Sequence, residues 1–180
     1  YHQLTAEQYA ELIVRFTKAI RSVDPDIKTI INWHGDIGNP TRWKEYETLF
    51  RIAGDYINVC DVHRYWSWGT ANYEKWLGQS PIGRYNLSFT EETKLFHQRV
   101  KALGLDIKLA VLEWSRGPES QEPNAPRMST FATGLIDAEM LGQFIEGGVY
   151  MATYWPLNWP GVTVNNRNRH FWMPGDDRPK

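Results

Sequence analysis

Four times along this chain a helical stretch, a turn marked by glycine or proline, and a short apolar run follow one another, and each run leads into polar and aromatic residues. That rhythm constrains the fold more than any other feature. Parallel strands need a crossover of about a dozen residues or more, and a helix between strands supplies it. Thr5 stands three residues before Gln8, the pattern of a capping box, and Tyr9, Leu12, Ile13, Phe16, Ala19 and Ile20 then recur at helical spacing. Asp24-Pro25-Asp26 closes this helix, and the strand expected over 27–32 leads into Trp33-His34-Gly35. Thr41 reads as the cap of a second helix that closes at Gly54, before a strand over 57–62 with His63-Arg64-Tyr65-Trp66 beyond its end. Ser88 reads as the cap of a third helix, Gly104 as its terminator, and a strand over 108–113 follows. A fourth helix over 127–146, with Phe131, Leu135, Ala138, Leu141 and Ile145 as its apolar stripe, ends at Gly147-Gly148 and precedes a strand over 149–154 tipped by Trp155-Pro156.

Units of this kind imply a parallel α/β sheet with right-handed crossovers. No linker divides residues 1–180, so they read as a single domain. The expected class is of the (β/α)8-barrel type, but a closed barrel takes about 250 residues and this chain has 180, so its four strands make only half of one. The competing architecture is an open doubly wound sheet, but no strand is followed by a glycine-rich phosphate fingerprint.

Within this frame one carboxylate is placed for chemistry. The run 109–112 is continuously apolar, as in a strand buried on both faces, and Glu113 closes it. In a barrel the C-terminal mouth of the strands is where catalytic side chains gather. The plainer alternative is that Glu113 ends a strand and meets solvent or Arg116.

Twenty basic and 21 acidic residues leave a formal net charge of -1, which gives no charge excess to favour nucleic acid or an anionic membrane as a partner. No apolar window is long enough to span a bilayer. The opening residues carry neither a basic nor an apolar leader region and do not start with Met, so location stays open, with secretion or a periplasmic site compatible. Cys60 is the single cysteine, lies in an apolar run, and reads as a buried inert thiol. Nine Trp, nine Tyr and seven Phe give 14% aromatic content, concentrated in expected strand ends and loops, where flat faces suit a sugar ring as well as ordinary packing. His34, Asp36, Asp61 and His63 are metal-ligand types, but their spacing matches no metal motif, and neither metal nor cofactor is expected.

The strand ends supply, in order, Asn32-Trp33-His34, His63-Arg64-Tyr65-Trp66, Glu113-Trp114 and Trp155-Pro156. Here the chain resembles the C-terminal half of the retaining glycoside hydrolases of clan A, the (β/α)8 superfamily that includes arabinofuranosidases, xylosidases, endoglycanases and agarases. Asp61-Val62-His63-Arg64-Tyr65 is similar to that clan's sixth-strand segment, Leu112-Glu113-Trp114 to its seventh-strand nucleophile segment, and Tyr154-Trp155-Pro156 to its eighth-strand tryptophan. The resemblance implies a carbohydrate substrate, Glu113 as the nucleophile, His63 and Tyr65 as residues that orient it or touch sugar, and Trp155 as a platform under the ring. Asn32, His34 and Trp114, at the same strand ends, are the further candidate substrate contacts; Trp33 and Trp66 stay open between core and ligand. Double displacement also needs a second carboxyl about 5–5.5 Å away as acid and base. The resemblance places that glutamate just before a helix like the one opening at Thr5, outside this chain. Glu119 and Glu122 are the nearest other carboxylates, in a proline-rich loop that offers no reason for a raised pKa. A half-barrel implies open edges, and hence association with itself or with the missing N-terminal half. The reading from a different class is a non-catalytic carbohydrate-binding or inert half-barrel.

Overall fold

The computed structural model describes residues 4–65, 83–84, 87–115, 130–154, 163–164 and 167–168. Helix α1 (Ala6–Arg21) starts on the expected capping box: the Thr5 hydroxyl accepts from the Gln8 amide at 3.3 Å, and the Gln8 side chain accepts from the Thr5 amide at 2.9 Å. The strand β1 (Ile30–Asn32) is shorter than expected. Ahead of it, the Thr29 amide donates to the Asn58 side chain at 2.9 Å, so an asparagine takes the place of a ladder partner. Helix α2 (Pro40–Ala53) is capped by Asn39 rather than Thr41. The Asn39 oxygen accepts from both Thr41 and Arg42 amides, and Pro40 occupies a first-turn position where its missing N–H costs nothing.

The strand β2 (Val59–Tyr65) runs past the expected end, so His63, Arg64 and Tyr65 lie in the ladder itself. A short antiparallel pair, β3 (Gly83–Arg84) and β4 (Leu87–Ser88), precedes helix α3 (Phe89–Ala102), whose Ser88–Glu91 capping box bears out the expected start. Gly104 follows it with φ 75°, a left-handed turn that glycine adopts without strain. The strand β5 (Lys108–Ser115) likewise outruns its expected limit, leaving Glu113 inside the strand. Helix α4 (Thr130–Gly147) leads to β6 (Met151–Tyr154), and a second short antiparallel pair, β7 (Thr163–Val164) and β8 (Arg167–Asn168), comes last.

The sheet order is β1-β2-β5-β6, with every pair parallel. Sequential order with no reversal means that each crossover steps the same way, so right-handed connections lay their helices on one face. That face carries Ile31, Cys60, Val62, Leu109, Val111 and Trp114, which join Phe50, Phe89, Phe96, Met140 and Phe144 in one buried core. The opposite face carries Val59, Asp61 and Ala110, which are buried, and Asn32, His63 and Thr153, which are exposed. A doubly wound sheet would reverse its order at a switch point; the described strands keep sequential order. Cys60 is buried in the core, and burial together with the neighbouring Asp61 carboxylate pushes its thiol pKa up.

One expected stripe is corrected. On α4 the buried side is Ile136, Met140 and Phe144, while Leu135, Leu141 and Ile145 are exposed; the side chain of Phe131 lies outside the described residues. The helix carries apolar residues around most of its circumference, so spacing alone could not select the buried side. Among the described residues no helix is long and apolar enough to cross a membrane.

Candidate active site

The register of β5 decides which way Glu113 faces. Asp61 pairs with Ala110 and His63 pairs with Glu113, so β2 advances two residues while β5 advances three. Registered partners in neighbouring strands share a face, and faces alternate along a strand. Ala110 and Glu113 are an odd number apart, so a regular strand would place them on opposite faces. β5 therefore carries a bulge, one extra residue between Val111 and Trp114, and the same shift recurs against β6, where Val111 pairs with Ala152 and Trp114 with Tyr154. The slip turns Glu113 out of the helix-packed side and onto the face that carries Asp61 and His63.

There it meets a connected group. The Tyr65 hydroxyl donates to Glu113 Oε2 at 2.8 Å, and His63 Nδ1 stands 3.2 Å from the same oxygen. Among the described residues no donor reaches Oε1, and the side chain is 32% exposed. The other ring nitrogen of His63 lies 3.1 Å from Asp61 Oδ2, which also accepts from Asn32 Nδ2 at 3.0 Å. Burial, then the hydrogen bond to Glu113 and its charge, push the Tyr65 hydroxyl above the ordinary tyrosine range, so it stays a donor. The arrangement holds Oε2 and leaves Oε1 without a donor among the described residues.

Tyr65 is thus hydrogen-bonded to Glu113, and His63 directly and Asn32 through Asp61 and His63 are linked to it by close polar contacts, whereas two expected contacts are not. Trp114 follows Glu113 and so takes the other face, 4% exposed, edge-on to Phe144 at 5.2 Å and to Tyr154 at 4.9 Å. Its ring lies in the helix-packed core, away from the face of Glu113. His34 turns to α2: its Nε2 is 2.8 Å from Glu45, which also accepts from Trp33 Nε1 at 3.1 Å and Arg42 at 2.8 Å. Tyr9 stacks on Trp33 with ring centroids 5.1 Å apart, so Trp33 joins α1, β1 and α2. Trp155, Trp66, Arg116, Glu119 and Glu122 lie outside the described residues.

Asp61 is the residue that sequence reasoning passed over as a member of the site. Its signal was available: it stands two before His63 on a strand, hence on the same face. Among the described residues no group of three His, Cys, Asp or Glu side chains could hold a metal ion.

Parallel strands in sequential order, helices on one face, and a polar group at the C-terminal ends of the strands on the other define an α/β fold of the (β/α)8-barrel type, of which four strands make half. No protein-family model and no curated protein matches the chain. Solved structures do. The chain is similar to a glycoside hydrolase family 44 xyloglucanase from Paenibacillus polymyxa (TM-score 0.59, 18% identity), over 89% of its own length and 38% of that chain. It is also similar to a family 44 endoglucanase from Clostridium thermocellum (TM-score 0.57, 20% identity, 85% and 38% covered) and to an α-L-arabinofuranosidase from Thermotoga maritima (TM-score 0.53, 21% identity, 86% and 30% covered). At these identities the likeness carries the fold, and the chain spans well under half of the structures it matches.

Proposed function

We propose that this chain is part of a retaining glycoside hydrolase of the clan A kind, acting on a plant or algal polysaccharide or oligosaccharide, with Glu113 as its nucleophile and the acid/base carboxylate outside the chain. The observation that carries the reading is the hold on one Glu113 oxygen: the Tyr65 hydroxyl donates to Oε2, and His63 Nδ1 lies 3.2 Å from the same atom. A nucleophilic carboxylate must be held in line yet keep one oxygen available for the anomeric carbon. As that oxygen bonds to carbon, the negative charge concentrated on the carboxylate disperses, and the tyrosine donor sets the orientation. The structural neighbours include a xyloglucanase, an endoglucanase and an arabinofuranosidase, which supports glycan hydrolysis as the reaction class. His63, Tyr65 and Asn32 stand where the reactive sugar would lie, and Trp155 would follow β6 at the same mouth.

The test uses a preparation in which the complementary half of a barrel is supplied. Glu113→Gln then reduces cleavage of aryl glycosides to background while leaving sugar affinity nearly intact, because the amide keeps the shape but forms no covalent intermediate. The 180-residue chain alone turns over little, since loss of general acid catalysis costs about 10²–10⁴-fold. Hydrolysis by the isolated chain that persists in Glu113→Gln would transfer the chemistry to another carboxylate. Sugar binding with no turnover in any assembly would favour a carbohydrate-binding half-barrel.

A further inference from the structure

The bulge that aims Glu113 is closed by side chains on both sides. In a regular strand the N–H and C=O of one residue address the same neighbouring strand; at Leu112 they address opposite ones. The Leu112 amide donates to Asp61 Oδ1 at 2.7 Å, and the Leu112 carbonyl accepts from the Thr153 hydroxyl. We propose that Asp61 is the positioning residue of this site, with Thr153 as its counterpart across β5, and that the two hold the bulge that turns Glu113 toward a ligand.

Asp61 acts on Glu113 along two routes. Through Leu112 it fixes the backbone immediately before the glutamate. Through its other oxygen it sets the His63 ring, which reaches Glu113 on its far side. Its side chain is 5% exposed, and its two oxygens meet the Leu112 amide, Asn32 Nδ2 and His63 Nε2. A carboxylate is acceptor-only and can serve this set; an asparagine offers one acceptor oxygen and sets an N–H₂ against the remaining partners. A carboxylate that merely filled the core would have no such stake in its second oxygen. The assignment rests on Glu113 being the working carboxylate, and it concerns geometry rather than turnover.

The test is NMR on the 15N-labelled 180-residue chain. In Asp61→Asn, hydrogen exchange at the Leu112 amide speeds up at least about tenfold, which corresponds to about 1.4 kcal/mol of lost local protection. The amides of Val59 and Leu109 keep their rates, and the His63 ring nitrogens move to the signature of a changed hydrogen-bonding pattern. Thr153→Val perturbs the Leu112 and Glu113 resonances, and Thr153→Ser restores them. Should Asp61→Asn fail to fold, the Thr153 pair still tests the bulge. Unchanged Leu112 exchange and unchanged His63 nitrogens in Asp61→Asn, or a Thr153→Val chain identical to wild type at Leu112 and Glu113, would overturn the proposal. Since none of these signals needs catalysis, a chain that shows them yet never cleaves a glycoside in any assembly sinks the functional reading and leaves the positioning intact. Where turnover is present, Asp61→Asn lowers kcat about 10²-fold with KM little changed.

Discussion

Tyr65 is the residue on which the state of Glu113 turns. Its hydroxyl is raised above the ordinary value of 10.0, first by burial and then by the carboxylate it serves. A tyrosine so raised contributes its hydrogen bond fully below its unfolded value and loses it only as pH climbs through the higher folded one. Ultraviolet titration of the folded chain therefore finds Tyr65 silent as pH passes 10, and Tyr65→Phe removes none of the phenolate signal that develops there. The same substitution costs about 1.5–3 kcal/mol in thermal unfolding near neutral pH, the range for a hydrogen bond to a charged group, discounted toward the low end because the pair is partly solvated. A phenolate signal near 10 that vanishes in the variant would refute the buried-donor picture. At this scale the sequence singled out candidates that the structure brings together, but not how they face. Glu113, His63 and Tyr65 were legible from residue type and from their place near strand ends. The face of Glu113 was not, because parity from Leu109 or Ala110 gives the wrong side until the extra residue of the bulge is counted. No sequence pattern marks Thr153 as a partner of Leu112; only register brings them together.

At the scale of elements, two ion pairs tie strands to helices and behave oppositely. Arg64, between His63 and Tyr65 on β2, points into the helix layer and meets Glu92 of α3 at 2.6 Å, with Arg64 also stacked over the Phe89 ring at 4.8 Å. Both side chains are buried, and removing one takes away the opposite charge that faces the other. Glu92→Ala is expected to cost about 3–5 kcal/mol, while replacing both by apolar residues of similar volume costs far less; denaturant unfolding of the two singles and the double decides it. Equal losses in single and double would mean that the pair is no more than packing.

Glu45 of α2 differs, being partly exposed. Burial pushes its carboxyl up, but the bond from Arg42, that from His34, the Arg42 charge and the bond from Trp33 together hold it below the ordinary 4.5. A depressed carboxylate contributes stability above its unfolded value and loses it as pH falls through the folded one. The stability gap between wild type and Glu45→Gln is thus expected to be present at neutral pH and to close as pH falls below about 4.5, read by thermal melts across that window. The sequence showed the helices through their caps and periods. It missed the Asn39 cap, because Thr41 competes two residues on, and it missed the buried side of α4, because apolar residues surround that helix.

Among the described residues the four-stranded sheet has two open edges. The outer sides of β1 and β6 have no ladder partner among the described residues, and the helices that precede them expose apolar side chains. On the helices that precede those strands in sequence, Phe16 and Ile20 of α1, Val23 in the turn after it, and Leu141 and Ile145 of α4 are exposed, Val23 to 86% and Ile145 to 80%. Scattered exposed apolar residues are ordinary, but together with unpaired parallel strands they are the kind of surface that a further layer covers. A single strand could pair with one edge only. Closing both at once takes a set of parallel strand-helix units with two edges of its own, which is what a complementary half of a (β/α)8 barrel provides. The chain is therefore expected to associate, and a complementary half-barrel supplied in excess should displace any self-association. Light scattering across a concentration series reads the first, and mixing with the complementary half reads the second. Val23→Lys with Ile145→Glu should weaken association while changing monomer stability by no more than about 0.5 kcal/mol, since both side chains are already in water. A chain that stays monomeric at every concentration, unaffected by both substitutions and indifferent to the complementary half, would show that these edges are finished surfaces.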